Sequence, residues 1–240
     1  MKKFLALILA SVMLLSLAAC GAKEEDENNN NSSQVGITNI YNNTLKYAVN
    51  EDGDLDITGY IPQGNELVDV VIPASIEGRD VTGIATDAFK AQVNIASVTI
   101  PDSVVSIGNA AFWGCTALTT LTMPNSIESI GVAAFENCTS LISVQLSAKT
   151  KTIGEGAFRG CVSLRNIAFG GNLTSIGAAA FWGCTTLKAV AIPKNVSTVG
   201  EGAFYGCSSL RYVTYNEGTT IEGEITFNQC HEELVFDISK

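Results

Sequence analysis

The sequence predicts a right-handed solenoid of 23-residue coils. A parallel β-sheet is expected on one face, short helical, 3₁₀ or extended segments on the other, and capped ends. The first observation is an Ile-Gly pair that recurs at a spacing of 23, as Ile107-Gly108, Ile130-Gly131, Ile153-Gly154 and Ile176-Gly177. The second is a Phe and a Cys that follow each pair at fixed distances, Phe112 and Cys115 in the first copy. A fixed period of this length is typical of stacked coils.

Within each coil, a short strand is predicted from alternating side chains. Leu121 and Met123 are expected to point inward and Thr120 and Thr122 outward, and Pro124 ends the strand because it lacks an N–H donor. Ile127 and Ile130 indicate a second short extended segment. The following segment, Ala134-Phe135 to Cys138, predicts one helical or 3₁₀ turn with Phe135 in the core.

The repeat resembles the leucine-rich repeat, and its residue pattern is similar to that of the BspA-type branch found on bacterial surface proteins. The general signature is L-x-x-L-x-L at the strand, which Leu118, Leu121 and Met123 fill. The branch is indicated by Ile-Gly-x-x-Ala-Phe-x-Gly-Cys, as in 107–115, and by Pro124 and Pro193 after the strand. The resemblance covers about residues 60–230, and the chain lacks the asparagine ladder of ordinary leucine-rich repeats.

The first 39 residues predict a leader and a tether. Residues 1–19 have two lysines followed by an apolar run, the layout of a signal peptide. The run ends in Leu17-Ala18-Ala19-Cys20, which resembles the lipobox of bacterial lipoproteins, so Cys20 is the predicted lipidation site. The alternative, a retained transmembrane helix, needs about 20 apolar residues. Residues 20–39 are rich in Asn and Glu and are expected to form a disordered tether.

Residues 40–83 are predicted to cap the open N-terminal end of the solenoid. Leu45 to Ile61 has the alternation of a β-hairpin, with its turn at Asn50-Glu-Asp-Gly53. The run Asp52, Asp54, Asp56 also suggests calcium, but an EF-hand loop would need Gly where Ile57 stands. We therefore interpret the acidic run as turn chemistry. Repeats are expected over 84–220, and 221–240 is a degenerate C-terminal capping repeat.

Six cysteines share the period: Cys115, Cys138, Cys161, Cys184, Cys207 and Cys230. Secretion and an even count favour disulfides. Equivalent positions of stacked coils, however, are about 4.8 Å apart, which is wider than the Cβ separation that a disulfide prefers. Free thiols packed as small hydrophobic groups are the favoured interpretation.

The sequence offers little for catalysis or for binding to nucleic acid or anionic lipid. With 24 acidic and 14 basic residues the net charge is −10, which argues against nucleic acid and anionic lipid. The single histidine, His231, lies in the degenerate last repeat. Glu128, Glu136 and Glu155 occupy different coil positions, and Glu201 lies two coils from Glu155, so a converging carboxylate pair is not expected. We predict that the chain is not an enzyme and has no metal site or cofactor.

The outward strand positions are the first candidate binding face. They form two columns without charge, and the residues singled out are Thr120, Thr122, Ser143, Gln145, Asn166, Tyr212 and Thr214. Such a face could receive an extended protein or a glycan. The alternative is a Thr/Ser ladder selected for β-propensity and cross-strand packing.

The residue after each core Phe is the second candidate. This position holds Lys90, Trp113, Glu136, Arg159, Trp182 and Tyr205, and the variety of types indicates a solvent-facing position. Trp113, Trp182 and Tyr205 are the candidate aromatic platform for a sugar or a partner protein. The alternative is that these rings cover a neighbouring turn.

Taken together, the sequence predicts a non-catalytic cell-surface adhesion module on the extracellular face of a bacterial membrane, anchored through Cys20. By resemblance to BspA-type adhesins, its partner would be an extracellular protein or a glycan. The alternative is a glycan- or solute-capturing lipoprotein of an uptake system, which would require a deep pocket.

Overall fold

The computed structural model describes residues 39–239, and the predicted leader, Cys20 and nearly all of the predicted tether lie outside them. The described part is a parallel β-solenoid. Its strands in chain order are β1 Asn39–Tyr41, β2 Leu45–Val49, β3 Leu55–Tyr60, β4 Val68–Val71, β5 Ser75–Ile76, β6 Arg79–Ile84, β7 Ile95–Thr99, β8 Ser106–Ile107, β9 Thr120–Thr122, β10 Ser129–Ile130, β11 Ser143–Gln145, β12 Thr152–Ile153, β13 Asn166–Ala168, β14 Ser175–Ile176, β15 Ala189–Ala191, β16 Thr198–Val199, β17 Tyr212–Asn216, β18 Thr220–Ile221 and β19 Val235–Ser239.

The predicted hairpin is present at the N-terminal end. Strands β2 and β3 are antiparallel with Val49 opposite Leu55, and β1 adds to the edge of β2. Asn50 organises the turn, since its Oδ1 accepts hydrogen bonds from the backbone N–H groups of Asp52 and Asp54, both at 3.1 Å. Its Nδ2 donates to Asp56 Oδ1 at 3.0 Å. The acidic run is therefore arranged around an asparagine-centred turn.

The longest sheet runs through the Ser-Ile pairs rather than through the L-x-L strands. From β3 onward it continues in parallel through β6, β8, β10, β12, β14, β16 and β18. Ile130 lies in register between Ile107 and Ile153. The sequence analysis predicted these positions only as short extended segments, because two residues are too few to show alternation.

The predicted sheet at the L-x-L positions is divided into three. These are β4-β7-β9, β11-β13 and β15-β17-β19, all with parallel pairing. Between β9 and β11 the approach is longer, with the Ile142 N–H 3.5 Å from the Thr119 carbonyl oxygen. We call the exposed surface of these three sheets the strand face.

The helical alternative for the segment around each Phe is wrong, since the described residues contain no helix. The segment is a series of turns in which alternate N–H groups bond within and between coils. Trp113 N–H donates to the Ala110 carbonyl at 3.0 Å, whereas Phe112 N–H donates to the carbonyl of Ala134 in the next coil at 2.7 Å. Left-handed backbone at Ala110 (φ 50°) and Gly114 (φ 70°) makes this alternation possible.

The core is a column of phenylalanines that stack from coil to coil. Phe112 and Phe135 have ring centroids 5.1 Å apart and planes within 2°. The stack continues through Phe158, Phe181, Phe204 and Phe227. Glycine after each Ile lets backbones approach, since a Cβ on Gly154 would lie 2.5 Å from the carbonyl carbon of Gly131. Stability is therefore shared between neighbouring coils.

Candidate binding surfaces of the solenoid

The strand face is exposed as predicted, with inward and outward side chains separated by strand alternation. Val144 and Val190 are buried beneath it, whereas their neighbours Ser143 and Gln145 are exposed. Equivalent residues lie side by side, as in Ser143 opposite Asn166. The predicted residues Thr120, Thr122, Ser143, Gln145, Asn166, Tyr212 and Thr214 all belong to this face, and Thr214 is half-buried.

The ends of the strand face carry charge that the sequence analysis did not assign to it. At the N-terminal end, Asp69 lies opposite Ser97, and the Ser97 hydroxyl donates to its Oδ1. At the C-terminal end, Asp237 lies opposite Thr214. The uncharged surface is thus bounded by a carboxylate at each end.

The C-terminal half of the face is flat around one large ring. Ala189 lies opposite Tyr212, and Ala191 lies opposite Thr214. The Tyr212 side chain is 59% exposed and, among the described residues, makes no contact with another aromatic ring. A ring face beside alanine methyl groups is accessible to a ligand.

The side chains that follow each core Phe form a column, and most of them contact the equivalent side chain of a neighbouring coil. Arg159 Cζ lies 5.5 Å from the ring centroid of Trp182, and the Trp182 and Tyr205 centroids are 4.1 Å apart with planes at 28°. Lys90 Nζ lies 5.8 Å from the Trp113 centroid. All three predicted platform rings are half-buried.

This stacking limits what the aromatic platform can offer. A sugar stacks on a free ring face, but Trp182 lies between Arg159 of the preceding coil and Tyr205 of the following coil. The geometry fits the alternative interpretation, in which the rings cover neighbouring turns, better than it fits a broad platform.

The cysteines lie in the core as predicted, each hydrogen-bonded to the coil before it. Cys138 Sγ donates to the Phe112 carbonyl oxygen at 3.2 Å, and Cys161 Sγ donates to that of Phe135 at 3.2 Å. All six are free thiols, five buried and Cys230 half-buried. Burial raises the pKa of the Cys115 thiol to about 12, which makes a reactive thiolate unfavourable at neutral pH.

The carboxylates singled out in the sequence are paired with cations or separated. Glu128 accepts from Lys151 Nζ at 2.7 Å, and this hydrogen bond holds its pKa below the ordinary value. Glu136 lies 4.0 Å from Arg159 Nε, whereas Glu155 and Glu201 are exposed. His231 is half-buried, and its Nδ1 accepts from the Glu233 N–H at 3.1 Å. Residues 39–239 contain no cluster of three His, Cys, Asp or Glu side chains fit for a metal ion.

One feature of the surface was missed in the sequence. Arg165, Lys188 and Arg211 immediately precede β13, β15 and β17, at a spacing of 23, and all three are exposed. We call them the cationic column. The 23-residue period could have revealed this column, because its three cations lie one period apart.

The architecture is that of a leucine-rich repeat protein. The model of the BspA type Leucine rich repeat region matches residues 82–211 and 174–239 in six copies. The chain therefore belongs to the BspA-type leucine-rich repeat family, as the sequence resemblance predicted.

Two solved structures show the same fold. A leucine rich repeat protein from T. pallidum is 32% identical with a TM-score of 0.69, and the match covers 76% of this chain and 83% of that one. A leucine rich cell surface protein from Faecalibacterium prausnitzii is 26% identical with a TM-score of 0.57, over 78% of this chain and 56% of that one. No curated protein matches the chain. Within residues 39–239 there is no helix of the length and apolarity needed to cross a bilayer.

Proposed function

We propose that this chain is a non-catalytic, cell-surface binding module that engages an extracellular protein or glycan through the strand face. The observation that carries the proposal is the long run of exposed, uncharged outward positions from β7 to β17 in a protein of net charge −10. Charged side chains are costly to desolvate, so a face without them is suited to burial against a partner. Preformed strands add little ordering cost on binding.

The comparisons support a surface role for the family, because one similar structure is a leucine rich cell surface protein. The adhesive role and the partner are our inference from the face. The uptake-system alternative requires a deep pocket, and no described feature favours it over an open face.

The experiment is a binding array of extracellular-matrix proteins and glycans, probed with the purified full chain. Thr122→Arg with Gln145→Arg places two large cations in the middle of the uncharged strand face. The matched control, Thr116→Arg with Asn125→Arg, makes the same charge change at exposed positions outside these strands. We expect bound partners to be lost in the first variant, by at least about tenfold in Kd, and retained in the control. Equal binding by both variants would contradict the proposal.

We further propose that the module is held at the membrane by acylation of Cys20. The support is the lipobox-like Leu17-Ala18-Ala19-Cys20 after an apolar run, since two acyl chains suffice for stable anchoring. In cells fed a labelled fatty acid, the wild-type protein should carry label in the membrane fraction. Cys20→Ser should carry none, and equal labelling of the two would exclude this anchor.

A further inference from the structure

The cationic column carries two charges that no ion pair neutralises, in a protein that is acidic as a whole. Arg211 pairs with Glu233 at 3.2 Å, but Arg165 and Lys188 have no ion-pair partner within residues 39–239. Lys90, Lys151 and Arg159 each have one, whereas Lys46, Arg79, Lys149 and Lys194 also have none within the described residues. Among these unpaired cations, only Arg165 and Lys188 stand at equivalent positions of adjacent coils. Two exposed cations are thus free to bind an anion.

The surroundings reinforce the positive potential. Four consecutive coil segments, 139–145, 162–168, 185–191 and 208–214, contain no Asp or Glu. Arg165 and Lys188 are one coil apart, about 4.8 Å along the solenoid, which is within the Debye length of about 8 Å at physiological salt. The fields of these two cations add, whereas the charge of Arg211 is offset by Glu233 at 3.2 Å.

The column borders a groove rather than a flat surface. A cleft of about 370 Å³ is lined by Arg165, Thr186, Lys188 and Ser209. Thr186 Oγ1 donates to the carbonyl oxygens of Val162 at 2.8 Å and Leu164 at 3.0 Å, so its position is fixed. The cleft therefore places two hydroxyl side chains beside two unpaired cations, and the Thr186 oxygen can accept a hydrogen bond from a ligand hydroxyl.

An exposed aromatic ring completes the site. Tyr212 follows Arg211 directly and lies opposite Ala189, the residue after Lys188. Its ring face is not stacked on another ring, in contrast to Trp182. Aromatic faces pack against the apolar faces of sugars, whereas the hydroxyl keeps a polar contact with water.

We propose that the cationic column, its cleft and Tyr212 bind a linear anionic glycan that carries sulfate or carboxylate groups. This inference rests on the proposed binding function and names its ligand chemistry. A glycan fits better than an acidic peptide because each pyranose unit lengthens a glycan by about the spacing between two adjacent coils. In an extended peptide, same-side residues recur only at about 6.8 Å. The ring and alanine surface next to the cations also suits a sugar face.

The experiment measures binding of the full chain to heparin by titration calorimetry, with neutral dextran and polyglutamate as comparison ligands. Arg165→Gln with Lys188→Gln removes the unpaired cations. Lys149→Gln with Lys194→Gln is the matched control, because it removes the same charge from exposed positions elsewhere. We expect heparin binding that weakens as salt increases. Kd should rise roughly tenfold in the first variant and change by less than about twofold in the control. Tyr212→Ala should raise Kd roughly fivefold, and urea unfolding verifies that each variant is folded.

Three outcomes would overturn the inference. The first is no binding of heparin, and the second is equal weakening by the two charge variants. The third is polyglutamate binding as tightly as heparin and lost in the same variant, which would assign the groove to an acidic polypeptide. Loss of array partners in Thr122→Arg with Gln145→Arg, without any heparin binding, would remove this inference and leave the proposed function standing. Failure of both experiments would remove both.

Discussion

Cys138 Sγ donates a hydrogen bond to the carbonyl oxygen of Phe112, 3.2 Å away in the preceding coil. The same carbonyl accepts the Cys115 N–H at 3.1 Å. One thiol thereby connects two coils beside the phenylalanine stack. The connection repeats from Cys115 to Cys230, and it gives the cysteines a structural role that needs neither a disulfide nor a metal ion.

The first prediction concerns this bond. Cys138→Ala removes a buried donor and leaves a small cavity, so we expect the free energy of unfolding to fall by about 2 kcal/mol. Cys230→Ala is the control, since its bond of 3.3 Å lies in a half-buried position of the last repeat. Urea unfolding followed by circular dichroism should show the larger loss at Cys138. A larger loss at Cys230 would contradict the role assigned to the column.

The second prediction is a loss of stability in alkali. Burial raises the pKa of the Cys161 thiol to about 12, whereas an unfolded cysteine has a pKa near about 8.5. Between these values the folded state holds the proton that the unfolded state loses. Stability is therefore intact below about pH 8.5 and falls as the pH rises, by up to about 1.4 kcal/mol per pH unit for each thiol.

Unfolding of the wild type and of Cys161→Ala should be compared at intervals from about pH 8 to about pH 11. The neighbouring thiols of Cys138 and Cys184 are coupled to Cys161, so the difference between the two proteins reports the Cys161 thiol together with this coupling. We expect a shallower decline in the variant. Parallel curves would mean that the Cys161 thiol is accessible to water in the folded state.

The third prediction tests the close approach of backbones at the Ile-Gly pairs. A Cβ on Gly154 would lie 2.5 Å from a backbone carbon of Gly131, and backbone cannot move aside cheaply. Gly154→Ala should therefore cost about 3 kcal/mol. Gly171→Ala is the control, because nothing lies within 4 Å of its added methyl group. Its effect should be below about 0.5 kcal/mol in the same thermal or urea unfolding measurement, and a comparable cost at both sites would contradict the observed packing.

The fourth prediction decides the role of the aromatic column. Because the Trp182 and Tyr205 rings stack at 4.1 Å, a double-mutant cycle of Trp182→Ala and Tyr205→Ala should give a coupling of about 1 kcal/mol in unfolding free energy. Trp182→Ala with Tyr212→Ala should be additive, since no contact joins those rings. A coupling near zero would show that the two rings do not stabilise each other. Their faces would then be accessible to a ligand, which would support the platform hypothesis.

Much of the fold was predictable because residues that are 23 positions apart stack on one another in successive coils. Adding 23 to Phe112 predicts the stack, and alternation around Leu121 predicts the exposed face. The dominant sheet was not predictable, because Ser129–Ile130 is too short to show a strand pattern. The sequence around Phe135 resembles a helical turn, but every second N–H donates a hydrogen bond to the next coil. This pattern depends on the neighbouring coils, so the sequence of one coil does not show it.

The candidate sites were predicted unevenly for a related reason. The exposure of Thr122 follows from its own strand, whereas the occupied faces of Trp182 depend on Arg159 and Tyr205 in the neighbouring coils. The cationic column depends on three coils at once. The sequence of one coil therefore predicts which side chains are exposed to water, but it does not predict which side chains of different coils contact each other.

The unequal continuity of the two sheet systems has a mechanical consequence. Parallel pairing is unbroken through the Ser-Ile strands, while it is interrupted between β9 and β11 and between β13 and β15 on the strand face. Fewer backbone hydrogen bonds join neighbouring coils at these two interruptions, which flank the β11-β13 sheet, than along the continuous side. Local opening of the backbone, measured by amide hydrogen exchange, is therefore expected to be easiest at these two places.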